Sequence, residues 1–582
     1  MNAILLIIVA IVVLVIAYLT YGRWLAKQWG VSNDNETPAH TMTDGLDYSP
    51  AKAPVLLGHH FSSIAGAGPI NGPIQAAVFG WLPVALWVLI GGIFFGAVHD
   101  FGALFASVRN KGRSIGEVIS TTLGGTFKRL FIVFGFLALL LVIAAFASIV
   151  AGTFGTTNAA GIEVAEGARE ANATTAIISM LFIVMAIVFG FLVYRRNAPL
   201  GIASVIGVVA IVAVIALGVN WHPIYLPYSA WMWIVGLYIA VASVAPVWIL
   251  LQPRDYLSSF LLYGMMALAL VGIFVGGGTS LDIPAFTGFK DPGLGFLFPA
   301  LFVTVACGAV SGFHSLVASG TTAKQLDRES DARPIAYGGM LIESLLAIIS
   351  VIAVGYIWVQ YKELAAAGTA MTPPQAFASG ISQMLGNGIG AFSTAGAQTV
   401  LTSLLVLTVS VFCLTSLDTA TRLARYMFQE FWLKEGEEVE NVTGARKVLI
   451  NPYFATIITV VLGIGLGMTG YTNIWPLFGA ANQLLAAIAL LGIAAWFGKM
   501  GKNNKMFFIP MAFMLSVTVV SLFFSIQSNF ILGFGGGEGA LWGFIRAIIA
   551  LVLVVLALVL AYGGIRYLIK NRKVDGAISE AK

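Results

Sequence analysis

Apolar residues run through this chain in long uninterrupted stretches and rarely alternate with polar ones. A helix needs about 20 such residues to cross the hydrocarbon core of a bilayer. By that measure fifteen membrane helices are expected, the first at about 2–20. A first group of seven follows at about 54–79, 81–108, 129–154, 172–194, 199–220, 231–251 and 256–276. A second group of seven lies at about 294–322, 333–361, 398–428, 451–470, 473–498, 505–527 and 541–569. Polar, Gly or Pro signals bound each stretch. The shorter stretch 376–392 reads as a re-entrant or surface helix. The first stretch lacks a basic start and a small-residue cleavage site, so it reads as a retained helix and not as a secretory signal.

Composition narrows the class. Of 582 residues, 59% are hydrophobic and 10% charged, whereas a soluble domain carries roughly a quarter charged residues. The fold class is therefore all-α, a polytopic membrane protein with lipid as its main partner. The formal charge of +5 reflects loops near lipid headgroups, and no basic stripe with interleaved aromatics points to nucleic acid. Cys307 and Cys413 both sit in apolar stretches, which suits neither a disulfide framework nor a cysteine metal site.

Loop charge then orients the helices. Arg109, Lys111, Arg113, Lys128 and Arg129 share one connection, and the next carries Glu163, Glu166 and Glu170 with Arg169. Continuing the alternation, with Arg254 counted as a loop cation, places all but Arg169, Lys290, Lys362 and Arg546 of the 31 Lys and Arg on one side. Cytoplasmic loops hold such an excess, so the N-terminus is expected outside and the C-terminus inside. The resulting parts are an N-terminal helix and cytoplasmic loop at 1–53, helix groups at 54–276 and 294–569, and a cytoplasmic tail at 570–582.

The openings of the two groups share a pattern. Gly58-His59-His60 and Gly312-Phe313-His314 both read G-x-H, and after five intervening residues each meets a glycine, at Gly66 and Gly320. Seven helices separate the two, so the second copy runs the opposite way, the arrangement that gives many transporters two equivalent gates. The first copy continues into Gly66-Ala67-Gly68-Pro69-Ile70-Asn71-Gly72-Pro73, where prolines remove backbone donors and glycines ease departure from helical geometry. A break near mid-membrane is expected in both segments, the one beginning at Gly58 and the one beginning at Gly312. Carbonyls and amides freed there cannot face lipid and must line a cavity.

These residues also carry a resemblance. The run 58–73, the stretch His99-Asp100-Phe101-Gly102 through Glu117, and Thr415-Ser416-Leu417-Asp418-Thr419-Ala420-Thr421-Arg422 resemble the carbon starvation protein A family over nearly the whole chain. The resemblance implies a LeuT-like inverted repeat of five helices per half, as in the amino acid–polyamine–organocation transporters, and uptake of peptides or of pyruvate with protons. The chain departs from the larger members in lacking their long polar insertions, and Asn71 stands where an apolar residue is expected.

Ionisable and polar residues inside the membrane are costly and become the functional candidates. For the substrate these are His59, His60, Ser62, Ser63, Gly66, Gly68 and Asn71 in the first group, facing His314, Ser315, Ser319 and Thr321 in the second. The histidines can equally serve as hydrogen-bond anchors. Asp418 and Arg422, four apart on one helix, share a face and can pair. By the family resemblance, Thr415, Ser416 and Asp418 would instead hold the coupling ion, H⁺ or Na⁺. Asp100 and His99 read as structural partners of the Arg109–Arg113 loop, and Glu343 as a buried carboxylate with no evident partner. An enzyme would need a nucleophile–base pair or a metal cluster, and no spacing of either kind stands out. A sensor would need an output domain. The sequence thus supports a secondary transporter in a prokaryotic cytoplasmic membrane, importing a small carboxylate-bearing nutrient without a cofactor. An Na⁺-coupled amino acid or carboxylate carrier is the alternative.

Overall fold

The computed structural model describes residues 2–580, except 45–47, 165, 197, 247–248, 277, 279, 368–369, 434–436, 438–441 and 538. Part of the expected tail at 570–582 lies outside the described residues. Nearly everything else is helix. In chain order the principal helices are α1 (Ala3–Leu19), α2 (Ala53–Ile64), α3 (Gly68–Ala76), α4 (Trp81–Gly91), α5 (Ala97–Arg109), α6 (Gly125–Phe154) and α7 (Glu166–Gly190). Then come α8 (Leu200–Asn220), α9 (Tyr228–Val244), α10 (Leu251–Gly276), α11 (Leu297–Val305), α12 (Gly312–Gly320) and α13 (Gly338–Tyr356). Last are α14 (Pro373–Gly388), α15 (Ala395–Trp432), α16 (Pro452–Gly467), α17 (Tyr471–Lys499), α18 (Phe508–Phe534) and α19 (Ala540–Glu580). The sole sheet among the described residues is a two-stranded antiparallel hairpin pairing Lys290 with Phe296 and Asp291 with Gly295.

Twelve of the helical segments are long and apolar enough to cross a membrane. The fifteen expected stretches appear as these twelve, two shorter apolar helices (α9 and α16), and the split pair α2–α3. Length is what separates them. α9 ends at Val244 and α16 at Gly467, short of the expected 251 and 470, and the Gly and Pro run divides α2 from α3. The 376–392 stretch is not a surface helix: α14 buries one side from Pro373 to Gly386 against α10, α13 and α15.

Burial is uneven in a way that marks the functional centre. The most apolar window of α17 is 100% buried and that of α11–α12 94%, against 22% for α8. Leu, Val and Ile on α8 face outward, as lipid-exposed side chains do, while α3, α11, α12, α13 and α17 bury most of their residues and form the interior. Small residues let their backbones approach. A Cβ on Gly72 of α3 would strike the carbonyl oxygens of Thr304 and Val305 on α11, so only glycine fits this crossing.

Candidate functional site

Two helices are interrupted inside this interior. The first break, Ala65–Ala67, separates α2 from α3, and the second, Ala306–Ser311, separates α11 from α12. Ala306 takes φ +43°, a conformation that a side chain with a Cβ rarely adopts. Residues in such regions persist where the surroundings enforce them and cluster at functional sites. The breaks touch, since a Cβ on Gly68 at the start of α3 would collide with the side chain of Cys307.

Backbone groups freed by the breaks find partners on neighbouring helices. From α17, Trp475 Nε1 donates to the Thr304 carbonyl at 3.1 Å and Gln483 Nε2 to the Phe302 carbonyl at 2.7 Å. Asn482 Oδ1 accepts from the Phe313 amide at 2.9 Å, which caps α12, and its Nδ2 donates to Ser311 Oγ at 3.0 Å. From α15, Ser416 Oγ donates to the Ser63 carbonyl at 3.2 Å. Each such group left bare in a membrane interior would cost several kcal/mol, so Trp475, Asn482 and Gln483 hold the second break open at small cost. Sequence reasoning missed all three. Their signal was present as polar residues within the apolar run 473–498.

The first break is less completely satisfied. Asn71 is fully buried with both side-chain atoms lacking a partner, and so are Ser62 Oγ and His60 Nε2. His60 Nδ1 is engaged by Thr322 Oγ1 at 2.8 Å. His59 instead turns to Asp255, 3.5 Å away.

The remaining candidates divide. Ser315 and Thr321 bond back to carbonyls of their own helix, at Gly312 and Val317. Ser319 Oγ accepts from the Ile115 amide at 3.1 Å, tying α12 to the 110–115 loop, away from the break. Gly66 abuts Ser416 and Phe146. The two G-x-H patterns are not structural equivalents: Gly58–His60 lies before the first break and Gly312–His314 after the second. Thr415 bonds to Val411 on its own helix.

The expected Asp418–Arg422 pair does not form. Arg422 donates to the carbonyls of Ala242 and Ala245, at 2.8 Å for the first. Asp418 pairs with Arg254, which is not a loop cation but a buried residue of α10, and accepts from Tyr238 at 2.7 Å. Arg254 also pairs with Asp255 at 2.8 Å. A metal cation at Asp418 would therefore have to displace a guanidinium. Asp100 and His99 do not serve the Arg109 loop either, since Arg109 pairs with Glu329. Asp100 lies between two histidines, His99 Nδ1 and His314 Nδ1, each at 2.7 Å, and His314 Nε2 faces Glu343 at 3.4 Å. Glu343 thus has a partner, and His314 belongs to this buried cluster.

A cleft of ≈640 Å³ approaches the second break from the far end of α11, walled by Pro299, Val303, Thr304, Asn473, Ser525 and Arg546.

Against known proteins, the model of the family described as carbon starvation protein CstA matches residues 2–373 and 360–521. This chain belongs to the CstA family. Family members are transporters, not enzymes, and the chain is a multi-pass membrane transporter. It is 31% identical to the peptide transporter CstA of Bacillus subtilis, over 97% of both chains. With the peptide transporter CstA of Escherichia coli it shares 34% over 89% of its own length and 80% of the relative's. With the pyruvate/proton symporter BtsT of the same organism it shares 32% over 84% and 76%. Among solved structures it is similar to a manganese transporter of Eremococcus coleocola, with TM-score 0.51 and 12% identity over 90% of this chain and 99% of that one. That likeness shows the fold alone, and it agrees with the LeuT-like architecture implied for the family.

Proposed function

We propose that this CstA family member imports a small carboxylate-bearing nutrient, a short peptide or pyruvate, by alternating access driven by protons. One observation carries the reading: Asn71, Ser62 and His60, which flank the first break along the chain, each bury polar side-chain atoms that have no hydrogen-bond partner. In the tautomer in which His60 Nδ1 accepts from Thr322 Oγ1, Nε2 carries the ring hydrogen and is a donor. Asn71 Nδ2, Ser62 Oγ and His60 Nε2 then supply donors for a carboxylate, beside the amide end of α3, where negative charge is favoured. Cys307 against Gly68 closes this end of α3 in the present conformation. Admission of substrate requires the α11–α12 break to move away from α3, and movement in opposite senses at the two breaks gives the two gates. The printed names of the relatives supply the two substrates, since peptides and pyruvate share a carboxylate. The setting is the cytoplasmic membrane of a prokaryote, with the N-terminus outside and the C-terminus inside.

Uptake by purified protein in proteoliposomes tests this. Labelled pyruvate and a labelled dipeptide are compared under an imposed proton gradient and an imposed sodium gradient. One of the two substrates accumulates under the proton gradient, and accumulation of neither under any gradient would end the reading. Asn71→Leu sharpens the test by its opposite signs. Removing two unpartnered buried polar atoms relieves a desolvation cost of about 1–3 kcal/mol, so the variant melts at a higher temperature than wild type while its uptake falls about tenfold or more, the loss of one good polar contact.

A further inference from the structure

The four ionisable side chains His99, Asp100, His314 and Glu343 are all fully buried, come from α5, α12 and α13, and have no part in the break's hydrogen bonding. Among the described residues, no Lys or Arg pairs with either carboxylate. Cationic groups elsewhere on the packed helices are committed: Arg109 to Glu329 and Arg254 to Asp418. Other titratable neighbours are His60 on α2, Cys307 at the second break, and Tyr337, whose hydroxyl donates to the Ile93 carbonyl. None of them is a fixed cation.

Charge counting follows from this. Asp100 accepts on both oxygens, from His99 and His314, and so is well placed to stay ionised. One proton on His314 then balances it. Glu343 has no hydrogen bond on either oxygen and meets only His314 Nε2, at 3.4 Å. An ionised Glu343 would be a second negative charge in a dry interior, at a cost of several kcal/mol. With His99 neutral and one proton on His314 offsetting Asp100, a proton on Glu343 keeps the sealed cluster uncharged. A neutral acid that becomes an anion once water reaches it is what a coupling carrier needs, and the route is short. His314 lies three residues past the second break on α12, and Cys307 within that break abuts Gly68, so movement at the breaks carries the cluster with it.

We propose that Glu343, with His314 as its relay partner, carries the coupling proton of this transporter, an inference that rests on the proton-driven reading above. In the outward-open state an external proton bonds to a Glu343 oxygen. In the inward-open state His314 first releases its Nε2 proton to cytoplasmic water, the N–H electron pair staying on the ring; the Glu343 O–H bond then breaks, its electron pair stays on the carboxylate, and its proton takes the vacated place on His314 Nε2. No oxidant or co-reactant is involved.

The test uses full-length protein in proteoliposomes with a pH dye trapped inside. For wild type, an inward substrate gradient acidifies the lumen, and an inside-alkaline gradient drives accumulation. Glu343→Gln is expected to retain measurable exchange of labelled for unlabelled substrate, to lose the dye signal, and to reach only the equilibrium distribution under the pH gradient. Accumulation at the wild-type level by Glu343→Gln would overturn the proposal. If that variant shows no exchange, Glu343→Asp decides: a displaced pH profile of accumulation supports the carrier role, and a wild-type profile overturns it. Should wild type itself respond to sodium and not to pH, the proton-driven reading fails, and that outcome is told apart by the wild-type control.

Discussion

At the level of single residues, the ion pairs deep in the bundle are governed by charge balance. Asp418 and Asp255 both rest on Arg254, with His59 beside Asp255. Removing the guanidinium strands two buried carboxylates, whereas removing the charge of Asp418 leaves one arginine facing one aspartate. Arg254→Gln should therefore cost about 3–5 kcal/mol and lower the detergent-solubilised melting temperature sharply, with Asp418→Asn costing much less. Equal losses in a thermal unfolding assay would show that Arg254 is not the hub. The sequence placed Asp418 on a long apolar helix, where it is buried, and named the wrong partner. Spacing along one helix exposes Arg422 at i+4, but Arg254 is 164 residues away in the chain and arrives only through packing. Glu343 and His314 were missed as a pair for the same reason.

At the level of elements, the interrupted helices were legible because proline and glycine act locally. The Gly66–Pro73 run breaks a helix whatever surrounds it. The second break was harder to place, since Ala306–Ser311 holds no proline and only Gly308 as glycine. It is stabilised by Trp475, Asn482 and Gln483 of another helix, so its cause is tertiary. The repeated G-x-H pattern misled for a related reason: it matched letters across halves of the broken helices that do not correspond. Gly72 is where the two breaks are locked together. Gly72→Ala places a methyl group against two carbonyl oxygens of α11, an overpacking that costs about 1–3 kcal/mol and obstructs the closed crossing. Exchange by the purified variant should be lost or strongly slowed. Wild-type exchange and stability would mean that α3 and α11 do not approach this closely in the cycle.

For the whole molecule, the orientation in the bilayer and the side on which the cleft opens are linked. The cleft is walled by Asn473, Ser525 and Arg546, on the side opposite the Lys and Arg excess. A membrane-impermeant thiol reagent applied to intact cells should label Ser525→Cys and leave Lys111→Cys unlabelled until the membrane is opened, in a background where Cys307 and Cys413 are replaced. Labelling of Lys111→Cys in intact cells would reverse the proposed topology. The loop side also has its own anchor. Glu329 accepts from the Ser32 amide at 2.9 Å, from Asn35 at 3.0 Å and from Arg109, which ties the 30–35 loop to α5. Lys502 beside it, donating to the Trp29 carbonyl, has its pKa lowered by burial and by Arg109.

The amino-acid sequence by itself determined the helical class, the membrane as solvent, the positions of nearly all the apolar helices and the first break. Each of these depends on local composition: an apolar run long enough to span, or a residue that cannot continue a helix. Only the tertiary structure decided which charges meet, what supports the second break and which polar atoms remain unpartnered. Those are contacts between segments far apart in the chain. In a low-dielectric interior the cost of an unmatched charge depends on what packs against it, and nothing in the spacing of residues along one helix records that.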